Sequence, residues 1–272
     1  MSTQRFRSTL SPIPQAPIRL SQRMTARATR NILENIDLVV CDMAGTTVQE
    51  GGLVYKILQK AMQDGGLEVT DQAMHAWHGA KKEAVIEHFA RQSGIPDHEL
   101  EDRILKIADT FTAAIDEAYF DEASTISHID ISLASYFAQL KGAGIKIALD
   151  TGYPQNIQEG LVKRLGFDKM VDSWISSYDV SAGRPYPYMI HQLMERLNIE
   201  NVKRVAKVGD SVRDIEMGRN AGCGLVVGVL SGADSAEELM AAGADITVDV
   251  VTSLPVPRRP VREAKMRLPD LS

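Results

Sequence analysis

The body of the chain opens with a short apolar run. Ile36 to Cys41 is broken only by Asp37 and gives way to Asp42-Met43-Ala44-Gly45-Thr46-Thr47. Such a run predicts a buried strand that passes into a turn. From Leu53 to about Phe120 the apolar residues recur at helical spacing. Leu53, Ile57, Leu58, Ala61 and Met62 share one predicted face, and Val85, Ile86, Phe89 and Ala90 share a second. Ile104, Leu105, Ala108, Phe111, Ala114 and Ile115 share a third. Beyond residue 130 short strands alternate with helices. Strands are predicted at Ile145–Leu149, Trp174–Ser176, Val205–Val208 and Leu225–Val229, with helices at about 131–141, 154–165, 185–197 and 212–221. Five-residue strands separated by helices imply a doubly wound, Rossmann-like parallel α/β sheet. Its first strand is followed by an all-helical insertion.

Composition narrows the class. The chain has 272 residues, 44% of them hydrophobic and 24% charged, which suits a globular protein with a sizeable core. No stretch approaches the ~18 consecutive apolar residues of a membrane span, so no membrane partner is expected. Cys41 and Cys223 are too few for a disulfide scaffold and fit a reducing compartment, so the expected location is the cytoplasm. Charge is distributed unevenly. Residues 1–30 carry six arginines and no acidic residue, and residues 255–272 carry a net +3, so an overall −6 leaves −15 on the body. An acidic body argues against a nucleic-acid partner. The N-terminal stretch, with Pro12, Pro14 and Pro17 among Ser and Thr, reads as a disordered extension or an organelle transit peptide. The second reading would place the protein in an organelle matrix. The expected division is therefore an extension at 1–30, an α/β core at 31–51 and 131–254, a helical segment at 52–130 and a basic, Pro-rich tail at 255–272.

In an open α/β sheet, ligands bind at the carboxyl ends of the strands. Asp42 ends the first strand, Asp150-Thr151-Gly152 the second, and Gly209-Asp210 follows Val205–Val208, with Asp214 four residues on. Arg184 lies in the loop between the last two. Carboxylates at Asp42, Asp210 and Asp214 suit Mg²⁺, while the Thr151 hydroxyl and the Arg184 guanidinium suit phosphate oxygens. Taken singly, an Asp at a strand end is more often a turn or cap residue. Together these groups satisfy the needs of phosphoryl transfer.

The stretches DMAGTTV, DTGY, GRPYPYM and VGDSVRDIEMGRNAG resemble, in order and spacing, the four motifs of the haloacid dehalogenase (HAD) superfamily of hydrolases. The resemblance covers residues 36–254 and implies that 52–130 is a cap domain. It also implies that Asp42 is a nucleophile that becomes a phospho-aspartate, and that Asp42, the Ala44 carbonyl and Asp210 hold Mg²⁺ with support from Asp214. Thr151 and Arg184 would grip the phosphoryl group, Gly152 would adjoin it, and Gly45 and Thr46 would offer it backbone donors. A homodimer is a further implication of the resemblance.

Ala44 stands where most phosphatases of the superfamily carry a proton-donating aspartate. General-acid catalysis is typically worth roughly 10²–10⁴ in rate, and alanine cannot supply it. Alanine at this place resembles the phosphonoacetaldehyde hydrolase subfamily, which cleaves a carbon–phosphorus bond through a cap-lysine imine. His78-Gly79-Ala80-Lys81-Lys82 is similar to that subfamily's Met-Gly-x-x-Lys, which places Lys82 at the imine position and His78 beside the substrate. The chain departs from the pattern at His78 for methionine, Val85 for histidine and Gly52 for cysteine. Lys82 could instead recognise charge on a small phosphate monoester such as phosphoglycolate, or be a solvated surface residue. A catalytically weak relative that binds such ligands as a regulator is a third reading. The remaining histidines, including His75, His88 and His128, show no metal-like pairing along the chain.

Overall fold

The computed structural model describes residues 32–258. The expected extension at 1–30 and most of the expected tail at 255–272 lie outside the described residues. In chain order the elements begin with β1 (Leu38–Asp42), β2 (Val48–Gln49) and the helices α1 (Leu53–Asp64), α2 (Asp71–His75), α3 (Lys82–Gln92) and α4 (Asp97–Phe120). There follow β3 (Ser127–His128), α5 (Leu133–Gly142), β4 (Lys146–Thr151), α6 (Gln155–Arg164) and β5 (Ser173–Ser176). The chain continues through α7 (Tyr188–Arg196), β6 (Val205–Gly209), α8 (Val212–Ala221), β7 (Leu225–Val229), α9 (Ala236–Ala241) and β8 (Ile246–Val248).

Every residue of β1 is buried, because the strand is apolar on both sides and sits near the middle of the sheet. The parallel order is β5-β4-β1-β6-β7-β8. Val39 and Cys41 pack with Phe137 of α5 and Leu161 of α6. Leu38 and Val40 pack on the other side with Ile190 of α7 and Ile215 of α8. This is the doubly wound α/β architecture that the periodicity predicts. β4 runs two residues past its apolar stretch, since Asp150 and Thr151 still pair with β1 and β5. β8 and α9 have no counterpart among the predicted elements.

The two-residue strands β2 and β3 pair antiparallel and bracket the four helices α1–α4. In α1 and α3 the predicted faces are the packed ones: Leu58, Ala61, Met62, Val85, Ile86, Phe89 and Ala90 are all buried. The α4 face is rotated from the predicted one. Leu100, Ile107, Phe111, Ile115 and Tyr119 point inward while Leu105 is 56% exposed.

Candidate active site

Three strands end side by side at one edge of the sheet. The register of β1 and β4 sets Asp42 directly beside Asp150. Asp210 follows β6, and Ser211 caps α8 in a reciprocal box: its backbone N donates to Asp214 Oδ2 at 3.3 Å and its Oγ accepts from Asp214 N at 3.3 Å. The cap thereby fixes Asp214 in the interior, behind the strand ends.

Arg184 ties these carboxylates together. Its Nη2 donates to Asp42 Oδ1 at 2.5 Å and to Asp150 Oδ1, and its Nε lies 2.9 Å from Asp214 Oδ1. Lys207, wholly buried in β6, places Nζ 2.6 Å from Asp150 Oδ2 and 2.8 Å from Asp214 Oδ1. Burial alone would lower the Lys207 amine, but Asp150 and Asp214 hold it above the ordinary lysine value. In Asp214, burial would raise the carboxyl, and Arg184 and Lys207 outweigh it and hold it low. Asp42 is pushed up to about 7 by burial, with Arg184 opposing and Asp214 adding to the rise. Burial and the neighbouring Asp42 hold Asp210 well above the usual carboxylate range.

The helical segment reaches over this edge through residues 79–82. Gly79 N donates to Tyr55 Oη at 2.5 Å, and Gly79 O accepts from Arg184 Nη1 at 3.2 Å. Gly79 has φ +77°, and a Cβ there would lie 2.6 Å from Ser211 Oγ, so only glycine lets the segment turn this close to the start of α8. A Cβ on Gly152 would lie 2.8 Å from the Ala80 carbonyl oxygen, so that approach also depends on a missing side chain. Lys82 opens α3 and is buried. Its Nζ donates to Ala80 O at 3.1 Å and stands 4.7 Å from the centre of the Tyr55 ring. Burial first, then the nearby Arg184 charge, lower its amine to about 8.

The sequence-predicted residues Asp42, Ala44, Lys82, Thr151, Gly152, Arg184 and Asp210 all line one pocket, with Tyr55 and Tyr153. The space left inside is about 10 Å³, room for about one water molecule. Asp214 lies behind it.

Two expectations need correction. Gly45 N donates to Val48 O at 2.9 Å and Thr46 N to Met43 O at 3.2 Å. The left-handed Gly45 closes a turn that consumes both expected donors. The Thr46 hydroxyl faces Asp210 Oδ1 at 3.4 Å instead. His78 does not line the pocket; its ring centre lies 4.2 Å from that of Tyr55 in a tilted arrangement, and its Nδ1 faces Asp234.

Sequence reasoning missed several members of the site. Lys207 was submerged in a strand pattern, and Asp150 was passed over beside Thr151. Tyr119 Oη bonds both Tyr153 Oη and Glu50 Oε2 at 2.8 Å, linking α4 to the turn after β4 and to the segment between β2 and α1. No local signal marks that link.

A model of the haloacid dehalogenase-like hydrolase family matches residues 36–222. The chain belongs to this family. Among relatives of this hydrolase, the phosphonoacetaldehyde hydrolase of Parabacteroides distasonis is 29% identical over 82% of this chain and 96% of its own length. The phosphonoacetaldehyde hydrolase of Bacillus cereus is 31% identical over 72% of this chain and 76% of its own. A phosphonoacetaldehyde hydrolase-like protein from Oleispira antarctica superposes with a TM-score of 0.67 at 22% identity, covering 81% of this chain and 90% of that one. A β-phosphoglucomutase from Clostridium difficile reaches 0.65 at 18% identity, over 80% and 93%. Both structures share the fold.

The cofactor of this hydrolase is Mg²⁺, and the residues present fit it. Four buried carboxylates, Asp42, Asp150, Asp210 and Asp214, face the two permanent cations Arg184 and Lys207. Asp42, Ala44 and Asp210 line the pocket together, and an all-oxygen donor set of this kind suits Mg²⁺. Among the described residues, no helix is long and apolar enough to cross a membrane.

Proposed function

We propose that this hydrolase cleaves the carbon–phosphorus bond of phosphonoacetaldehyde or a related phosphonate aldehyde, with residues 52–130 working as a cap. The observation that carries this reading is Lys82: a buried amine, lowered to about 8, in one pocket with Asp42 and with Ala44 in place of a proton donor. A lysine desolvated beside another cation is the kind that attacks carbonyls.

In this reading the cap lifts to admit substrate. Neutral Lys82 Nζ adds to the aldehyde carbon, and uptake of one proton from solvent with loss of water leaves a protonated imine. An Asp42 oxygen then attacks phosphorus. The phosphorus–oxygen bond forms as the phosphorus–carbon bond breaks, and the released electron pair moves into the imine to give an enamine. The leaving carbon needs no proton from residue 44, because the imine holds its electrons. Protonation at carbon restores an imine, water releases acetaldehyde from Lys82, and a second water frees phosphate from Asp42. Arg184 and Thr151 hold the phosphoryl oxygens. Asp42, the Ala44 carbonyl and Asp210, with Asp214 behind them, would hold Mg²⁺, which when bound would supply positive charge beside the phosphoryl group.

Borohydride added during turnover of phosphonoacetaldehyde tests the reading. An adduct mapped to Lys82 by mass spectrometry is expected. If no adduct forms while Lys82→Arg still hydrolyses a phosphate monoester, the enzyme is a phosphomonoesterase and Lys82 a charge clamp.

A further inference from the structure

A second polar cluster lies across the seam between the helical segment and the α/β body, outside the pocket just described. His75 ends α2, and His78 follows three residues later on the same side. Both face Asp234, which belongs to the loop between β7 and α9. His75 Nε2 lies 3.5 Å from Asp234 Oδ1 and His78 Nδ1 lies 3.8 Å from it, with all three atoms within 4.8 Å of one another.

These separations are too long for hydrogen bonds. Accordingly, His78 Nδ1 and Asp234 Oδ1 are both buried with no hydrogen-bond partner among the described residues. The Asp234 side chain is only 5% exposed. It is held in place from the other side, because its Oδ2 accepts from Val212 N at 2.6 Å. Leaving a buried carboxylate oxygen unpaired is costly, so a fixed oxygen aimed at two imidazoles asks for an occupant. Donor atoms bound tetrahedrally at ~2.0–2.1 Å from one ion stand about 3.4 Å apart. The two measured separations are close to that, and small rotations of the His rings would close the rest.

The geometry points to a transition-metal site of the Zn²⁺ class formed by His75, His78 and Asp234. Two imidazoles and a carboxylate suit Zn²⁺, Co²⁺ or Ni²⁺ rather than Mg²⁺, which prefers oxygen alone. The cluster opens on a cleft of about 280 Å³ that Glu216 and Glu238 also line, leaving a coordination position for water or a small anion. Arg213, the one cation in that cleft, is turned aside: Nη2 donates to Ala76 O at 3.3 Å and its guanidinium lies over the Trp77 ring. Two ligands come from the helical segment and one from the body, and His78 adjoins Gly79. A bound ion therefore clamps the segment that carries Lys82 against the strand ends. This site is independent of the substrate proposed above.

The test is calorimetric titration of Zn²⁺ into the full chain in excess Mg²⁺, with hydrogen exchange of the 79–82 amides in parallel. One equivalent should bind, and exchange at Gly79 and Ala80 should slow. His75 is half-exposed, so His75→Gln should fold normally; it and Asp234→Asn should each weaken Zn²⁺ binding about 10–100-fold or more. Asp42→Asn should leave it unchanged. No binding in excess Mg²⁺, binding that survives both substitutions, or binding lost in Asp42→Asn would overturn the site. Zn²⁺ binding without slowed exchange would overturn the clamp.

Discussion

Lys207 in the α/β body and Lys82 in the helical segment are both buried, and both stand near Arg184 and Asp42. Their amines move in opposite directions. Lys207 touches Asp150 and Asp214 directly and is held above the ordinary lysine value. Lys82 touches a backbone carbonyl and an aromatic face, meets the Arg184 charge, and falls to about 8. Burial disfavours both ammonium groups, so the partner decides the outcome. A lysine in ionic contact is a fixed structural charge, and one deprived of that contact gives up its proton more readily.

Breaking the comparison on the chemical side should have the largest effect. Lys82→Arg keeps the charge and cannot form an imine, so carbon–phosphorus cleavage should fall by roughly 10⁴-fold or more with an unchanged circular dichroism spectrum. Lys207→Arg, which keeps the ionic contacts, should retain measurable turnover under the same assay.

The stability effects should run the other way. Lys207→Met removes one of the two buried cations, beside Arg184, that hold Asp150 and Asp214, and should cost about 3–5 kcal/mol in denaturant unfolding. Lys82→Met should be neutral or stabilising. The Lys82 amine is lower in the folded chain than the ~10.4 of an unfolded lysine, so its charge opposes folding. That penalty is full below about pH 8 and fades as pH rises towards the unfolded value. The Tm advantage of Lys82→Met should therefore be largest near neutral pH and absent at high pH. An advantage that grows with pH would contradict the assignment.

A pH profile sharpens the same contrast. Lys82 must be neutral to add to a carbonyl, and Asp42 must be ionised to attack phosphorus. kcat/KM should therefore rise with pH to a plateau above about 8, falling up to about tenfold per pH unit from 8 to 7 and up to about a hundredfold per unit below 7. A profile that falls from pH 6 to 8 would exclude the neutral-amine role.

The smallest effect concerns Ala44. Ala44→Asp should leave carbon–phosphorus cleavage unimproved while raising turnover of phosphate esters, whose alkoxide leaving group gains from a proton donor. Improved cleavage of the phosphonate would remove the electron-sink account of Ala44.

Much of the frame was legible along the chain. β1, β6, β7 and α8 follow from local runs of apolar residues, and the strand-end rule draws attention to Asp42, Thr151 and Asp210. What escaped was short or distant. The two-residue ribbon β2–β3 has too little pattern to read, and Leu105 was assigned to a face one helical position away from the packed one. Gly45 and Thr46 were expected to offer donors, but the turn they form uses those donors itself. Along the chain His75 shows no metal-like pairing; its nearness to His78 and to Asp234 arises only in the fold.

The order of strands and helices and the chemical types at the strand ends were decided by the sequence alone, because periodicity and turn residues act over a few positions. The pairing of Lys207 with Asp150 and Asp214, the isolation of Lys82 over Tyr55, and the facing of two histidines to Asp234 were decided only by tertiary structure. Charge interactions depend on separation in space and on how much water is excluded. Neither quantity is encoded at any single place along the chain.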